Sequence, residues 1–403
     1  MKLEFQCKIC SSKQKSSILN LGNVALTGRF LDKNEKVNSY DLELVSCKNC
    51  GLVQLKNTCD AEELYGDFYG YSSSLNQSMI KHLENIYLSL KPFINNDSKI
   101  LDIGSNDATF LNFFVDQKFT VGVDPSAKKF AEFYKKAKLI PSFFNSQTAD
   151  NLRNNMGNFD LVTSIAMFYD LEDPIQFARD VESLLTPNGI WVLEQSYLPL
   201  MIKNNAFDTI CHEHIEYYKF KDISNILERI GMRVFNVFLN DTNGGSFRLM
   251  CCKKNAKYIT NNNIPKLIKE ELNFFSNKNI YKEFNKRILT IKNKLKDLLQ
   301  QFKEKNIDVY GLGASTKGNV LLQYFEIDSN LIKAIGEVNP EKFGKFTPGS
   351  NIPIVNQEEI LSNENAYFLV LPWHFKEFFI NSVLFKKINL IFPLPEVQVF
   401  KNE

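Results

Sequence analysis

The 403-residue chain has little net charge, little histidine and no long hydrophobic run. Its 48 Lys and Arg stand against 46 Asp and Glu, and the lysines are spread along helix-patterned stretches as a solvated face. That balance offers no basic groove to a nucleic acid and no basic patch to a membrane. No apolar stretch reaches the ~18–20 residues needed to span a bilayer. The start, Met1-Lys2-Leu3-Glu4-Phe5, lacks the apolar centre of a secretion signal, so a cytoplasmic protein is expected. At roughly 150 residues per domain, the length calls for two or three domains.

Cysteine is present in an informative arrangement. Four of the eight form two pairs, Cys7-x2-Cys10 and Cys47-x2-Cys50. In a reducing compartment this spacing points to metal rather than disulfides. Two such turns place four thiolates tetrahedrally around one Zn²⁺, with no vacant position for chemistry, so the zinc is structural. Gly51 suits the tight turn after the second pair, and a small subdomain must loop out between the pairs. Cys59, Cys251 and Cys252 read as small buried side chains.

Hydrophobic patterning divides the rest. Residues 1–72 are short strands around the cysteines, ending in the Tyr-rich stretch Tyr65-Gly66-Asp67-Phe68-Tyr69-Gly70-Tyr71-Ser72. Over 73–255, helices alternate with apolar strands at 99–103, 121–124, 159–164 and 189–194, which implies a largely parallel sheet. Residues 256–403 open on a helical connector in which Phe284, Ile288, Ile291, Leu295, Leu298, Leu299 and Phe302 recur every three or four positions. Strands at 307–310, 331–335 and 366–371 follow. The expected fold class is α/β in three domains: a small zinc-binding domain, a Rossmann-like central domain and a second Rossmann-like domain.

The cofactor expectation rests on one turn. Leu101-Asp102-Ile103-Gly104-Ser105-Asn106-Asp107 follows the first central strand and is expected to enter a helix at Thr109–Phe113. A glycine there lets the backbone approach a ligand. The second strand ends in Asp124-Pro125, where a carboxylate can take both hydroxyls of a ribose. The full G-x-G-x-x-G of a dinucleotide site is absent. Acid, strand and acid with one glycine fit S-adenosylmethionine (SAM), which has no pyrophosphate to cradle. Ser164-Ile165-Ala166 begins the loop that would cover this cofactor.

A second glycine-rich turn, Gly311-x-Gly313-Ala314-Ser315-Thr316-Lys317-Gly318-Asn319, lies between a strand and a helix. Such a junction is an anion site, although the spacing is not that of a Walker A loop. A sugar-nucleotide diphosphate fits it. Glu337 would be the ribose acid if the ligand were a dinucleotide.

The cysteine pairs, the cofactor turn, Cys211-His212-Glu213-His214, Gly244-Gly245-Ser246-Phe247-Arg248 and the 310–319 turn occur in one order. Together they resemble the sugar-nucleotide C-methyltransferases, over essentially the whole sequence. The resemblance implies a nucleoside-diphosphate 4-keto-deoxysugar as substrate, in the making of branched deoxysugars and surface polysaccharide precursors. It implies His214 as general base, with Glu213 beside it and His212 as a further candidate. Tyr71 would belong to the segment that closes over the site. Asn243, Gly244, Ser246, Arg248, Gly313, Ser315, Thr316, Lys317, Asn319 and His374 are placed at the substrate. Relatives often carry Tyr at Cys211, His at Asn243 and Gly at Ala108.

The chemistry agrees. A sugar carbon becomes nucleophilic only beside a carbonyl, so a base titrating near neutrality is needed, and histidine suits it. There are four His, two of them in that tetrapeptide. If it is extended, His212 and His214 share a face; if helical, they diverge. His82, on an amphipathic helix, is expected at the surface. The rivals are an O-methyltransferase acting on a sugar hydroxyl and a non-catalytic zinc- and SAM-binding protein. A monomer or homodimer is expected.

Overall fold

The structure, a computed structural model, describes residues 5–33, 35–60, 63–64, 72–363 and 365–401. Its described strands form three sheets. In the first, β1 (Lys15–Ala25), β2 (Ser39–Cys47) and β3 (Val53–Leu55) run antiparallel. Alternation sets its faces: Leu42 and Leu44 are buried, while Asp41 and Glu43 point outward to Lys56. The buried face shares one core with the C-terminal part of the molecule, through Leu19, Leu44 and Leu55 beside Phe284 and Leu295. A fourth strand, β9 (Glu216–Tyr217), comes from far along the sequence and pairs antiparallel with β3.

The second sheet has seven strands in the order β10-β11-β8-β7-β4-β5-β6. These are β4 (Lys99–Ile103), β5 (Phe119–Val123), β6 (Lys138–Ile140), β7 (Phe159–Ile165), β8 (Leu185–Ser196), β10 (Met232–Asn240) and β11 (Ser246–Lys253). β4 to β8 are parallel and β11 runs antiparallel to both its neighbours. The backbone leaves β4 to one side for β5 and β6, then returns to the other side for β7. The crevice between β4 and β7 is therefore the switch point at which ligands bind in such sheets.

The third sheet runs β14-β13-β12-β15-β16-β17. Its parallel members are β12 (Val309–Leu312), β13 (Ile335–Glu337), β14 (Ile354–Asn356), β15 (Tyr367–Val370) and β16 (Asn389–Phe392), with β17 (Gln398–Phe400) antiparallel at one edge. The helical connector is the 25-residue Ile280–Glu304 helix, which buries Phe284, Ile288, Ile291, Leu295 and Leu299 as their spacing requires. The preceding helix, Asn263–Phe275, puts Ile264 and Leu267 into the core of the central sheet instead.

Two expected elements differ. The helix expected at Thr109–Phe113 is only a 3₁₀ turn at Leu111–Phe113. Ala108 stands at φ +60°, and Asp107 takes both the amide and the hydroxyl of Thr109, so helical bonding cannot start there. The strand expected over 331–335 is displaced to Ile335–Glu337. The amides of Leu331 and Ile332 both donate to the Asp328 carbonyl, which makes that run a turn.

Candidate functional site

The Sγ atoms of Cys7, Cys10, Cys47 and Cys50 lie within 4.8 Å of one another. The Cys7–Cys50 and Cys10–Cys47 separations are 3.5 and 3.6 Å. Four sulfurs at about 2.3 Å from a central zinc are about 3.8 Å apart, so the set fits one Zn²⁺. The amide of Gly51, at φ +78°, donates to the Cys47 carbonyl and closes the second turn. Two side chains of the central part clasp this knuckle: Lys219 donates to the Gly51 carbonyl at 2.7 Å and Arg229 to the Ile9 carbonyl at 2.9 Å.

The β4–β7 crevice is acidic. Asp102, Asp107 and Asp124 are buried at the carboxyl ends of β4 and β5, and none is ion-paired among the described residues. Burial, with the Asp124 charge beside it, pushes the Asp102 carboxyl up to about 7. Thr163 donates to Asp102 at 2.6 Å, and the Asn106 amide donates to Asp124 at 2.9 Å. Asp124 also caps the following turn through Ser126. Gly104, at φ +79°, packs under Met167: a Cβ there would lie 3.0 Å from that side chain. Acids without a cation, beside an open glycine turn, suit a ligand that brings hydroxyl donors and positive charge. SAM brings both.

The end of the Tyr-rich segment is tied to the same turn. Ser72 Oγ and the Ser74 amide donate to Asp107 at 2.6 and 2.8 Å, and the Ser73 amide donates to Asn106. Tyr71 itself lies outside the described residues. Ser105 is bonded to the Tyr134 hydroxyl, while Pro125 starts the 3₁₀ turn after β5. Ser164 accepts from the Trp191 indole, Ile165 ends β7, and Ala166, at φ +54°, donates to the Glu194 carbonyl.

The His-Glu-His segment is neither extended nor helical. The His214 amide donates to the Cys211 carbonyl, and this turn sends the three side chains three ways. His212 is buried toward β2, its Nε2 3.4 Å from the Tyr40 carbonyl, and burial drops it to about 4. Glu213 reaches Gly28, which also faces Thr316 at the start of the Thr316–Phe325 helix. A Cβ on Gly28 would lie 2.7 Å from Glu213 Oε1 and 3.9 Å from Thr316 Oγ1, so a larger residue there would have to displace the Glu213 carboxyl. Burial raises the Glu213 carboxyl.

His214 is half-buried, its ring 4.3 Å from that of Tyr169 just after β7. Its Nδ1 lies 2.8 Å from the Thr209 carbonyl. A carbonyl only accepts, so Nδ1 carries the proton and Nε2 keeps its lone pair. Burial, with the Lys317 charge nearby, holds this imidazole down to about 3 and therefore neutral at physiological pH.

Lys317 is not where a phosphate loop would hold it. It reaches across to the central part, donating to the backbone and side-chain oxygens of Asn243 at 3.2 and 3.0 Å. Ser315 caps its own helix at Gly318, and Asn319 donates to the Thr27 carbonyl. Glu337 accepts from the amides of Ala314, Val338 and Asn339. The Glu337 carboxylate therefore ties the glycine turn to its own loop, with Lys342 3.5 Å away. Gly313, at φ +79°, packs on Pro372.

The structure brings His214, Lys317, Asn243 and His374 to one place and keeps others in the frame around it. His374 is half-buried within reach of the Lys317 charge. Gly244 packs against Trp373 and Ala206, and Ser246 donates to the Thr242 carbonyl. Arg248 lies over the Phe238 ring and 3.9 Å from Glu194. His82 is not a surface residue. It is bonded to Glu194, at the end of β8, because a buried carboxylate requires donors. Asp208 was not foreseen: it is buried, accepts from the Trp373 indole at 2.8 Å and is pushed up to about 6 by burial. Only its position in Phe207-Asp208-Thr209, just before the tetrapeptide, could have singled it out.

Three family models tile the sequence: "Putative zinc binding domain" over residues 7–65, "Methyltransferase domain" over 76–237 and "C-methyltransferase C-terminal domain" over 241–395. The protein is 27% identical to the C-methyltransferase NovU of Streptomyces niveus, over 99% of this chain and 97% of that one. A tRNA U34 carboxymethyltransferase of Campylobacter jejuni is 26% identical over 37% of this chain and 54% of its own. A solved magnesium protoporphyrin IX methyltransferase of Synechocystis covers 47% of this chain and 90% of its own, at 15% identity and TM-score 0.34. Four clustered thiols, an acidic switch-point crevice and this order of modules agree: the protein is a SAM-dependent methyltransferase with a zinc-binding module, and it is similar over its whole length to a C-methyltransferase.

Proposed function

We propose that this protein transfers a methyl group to a carbon of a nucleoside-diphosphate 4-keto-deoxysugar, with His214 as general base. The observation that carries this reading is the fixed tautomer of His214, whose one basic nitrogen is Nε2, within reach of the half-buried Lys317 charge. Asp102, Asp124 and the 104–107 turn would hold SAM, with Ala166 and its neighbours over it. Bound there, SAM supplies an electrophilic methyl group.

His214 Nε2 takes the proton on the carbon next to the sugar carbonyl. The electrons of that C–H bond become an enolate, and its carbon is then the nucleophile. The substrate lies where Asn243, Lys317 and His374 meet, between a central module ending near residue 255 and the C-terminal module. Tyr169 and Trp373 exclude water around it. The product is a branched deoxysugar nucleotide of the kind that feeds surface polysaccharides.

The test is incubation with SAM and a panel of keto and reduced sugar nucleotides in D₂O. A new carbon-bound methyl on a keto sugar, with deuterium entering the α position, supports the reading. An oxygen-bound methyl on a reduced sugar would replace it with O-methylation.

A further inference from the structure

The Lys317 ammonium has three N–H groups, and Asn243 takes two of them. The third finds no acceptor among the described residues, and the side chain is half-buried. Two buried neighbouring atoms, Asp208 Oδ1 and His374 Nδ1, also have no hydrogen-bond partner. Partial burial disfavours an unpaired charge, and no carboxylate lies within ion-pair distance of Lys317 among the described residues.

The same short turn, Phe207–Thr209, brings the base and the lysine together. His214 is pinned to the carbonyl of Thr209, and Asp208 stands within reach of the Lys317 charge. A second turn repeats this: Asn319 is bonded to Thr27, and Gly28 faces both Glu213 and Thr316. The fold thus sets the Lys317 ammonium within reach of the His214 imidazole.

We propose that Lys317 is a catalytic residue that donates to the substrate's carbonyl oxygen and carries the enolate charge. This rests on the C-methylation reading above. As the α C–H bond breaks, its proton goes to His214 Nε2 and its electron pair forms the C=C bond. The carbonyl π pair moves onto the oxygen, which then lies between two cations, the Lys317 ammonium and the new imidazolium. When the α-carbon is alkylated, that pair returns to the carbonyl, and no bond to lysine forms. The depressed basicity of His214 fits this arrangement. Burial is the larger cause of that weak basicity and the Lys317 charge the smaller; the same charge favours the enolate, because proton transfer creates a negative charge beside it.

The experiment uses the full-length, zinc-loaded protein with a 4-keto sugar nucleotide in D₂O. Lys317→Met should lower α-proton exchange and methyl transfer together, by about 10²–10³-fold as for loss of an oxyanion donor. SAM affinity should stay within about twofold. Lys317→Arg should recover part of the exchange. The wild type should bind the keto sugar more tightly than its reduced alcohol, and the Met variant should not. If Lys317→Met fails to fold, Asn243→Gly keeps the positive-φ backbone and removes one lysine acceptor; it should lower exchange about tenfold, and unchanged exchange would overturn the proposal. Normal exchange in Lys317→Met with weakened sugar-nucleotide binding would make the lysine a binding group only. Trapping of a lysine adduct by borohydride would make it a nucleophile; either result overturns the proposal. Absence of exchange in the wild type would instead overturn the C-methylation reading itself.

Discussion

Removing the zinc should disturb the His214 segment more than the SAM site. Cys50→Ser is the mildest perturbation, because Cys50 is half-buried and serine nearly isosteric, so any large effect belongs to the metal. The path from metal to histidine is short. Cys47 ends β2, its amide donating to the Leu52 carbonyl, and β3 follows at Val53. β3 pairs with Glu216–Tyr217, and the Leu55 amide donates to the Ile215 carbonyl, one residue from His214. Isolated zinc knuckles draw about 10–16 kcal/mol from their metal. Here the sheet keeps the core it shares with the C-terminal part, so less should be lost. A cost of about 4 kcal/mol is reasonable for loss of a structural metal, or about a thousandfold in local opening. Hydrogen exchange should then show lost protection over 47–56 and 214–219. Methyl transfer should fall at least about tenfold, while calorimetry gives a SAM affinity within about threefold of normal. Native protection over 214–219 in zinc-free protein, with turnover intact, would refute the reasoning.

Asp124→Ala should weaken SAM binding about ten- to hundredfold in calorimetry, since a charged acceptor contributes roughly 1.5–3 kcal/mol; an unchanged affinity would place the ribose elsewhere. Gly28→Ala should push Glu213 aside and cut turnover with little change in SAM affinity; full activity would show that Glu213 does not matter to the base. His212 titrates near 4 when folded but near 6.5 when unfolded, so the unfolded protein takes up its proton first as pH falls. Its contribution is therefore present above pH 6.5 and lost on approach to pH 4, by about 2 kcal/mol between pH 7 and 5. Denaturant unfolding of the wild type against His212→Asn at the two pH values should show that difference, and parallel pH dependences would contradict it.

What was legible in the sequence follows the range of each interaction. The apolar runs of β4, β7 and β8, the heptad-like face of the Ile280–Glu304 helix and the two cysteine pairs are local patterns, and the fold keeps them. Phe110 and Phe113 resembled a helical face, but a positive φ at Ala108 and the Asp107 caps override that pattern. Strand β9 is two residues long and owes its existence to β3, so nothing within it announces a strand. That pairing also decides the tetrapeptide, because it fixes Glu216 and Tyr217 and leaves Cys211–His214 to turn. Lys317 carried the signature of its loop, while its true partner, Asn243, lies in another module. His82 looked like surface because amphipathicity reports a buried face without saying what that face meets.

The central claim is that His214 removes a carbon-bound proton. Wild-type protein and His214→Ala should be compared in D₂O, with a 4-keto sugar nucleotide and S-adenosylhomocysteine in place of SAM, so that exchange is seen without transfer. Exchange should fall by about 10²–10⁴-fold in the variant, the usual contribution of a general base, with both ligands still bound. Unchanged exchange in a folded His214→Ala protein would contradict the account.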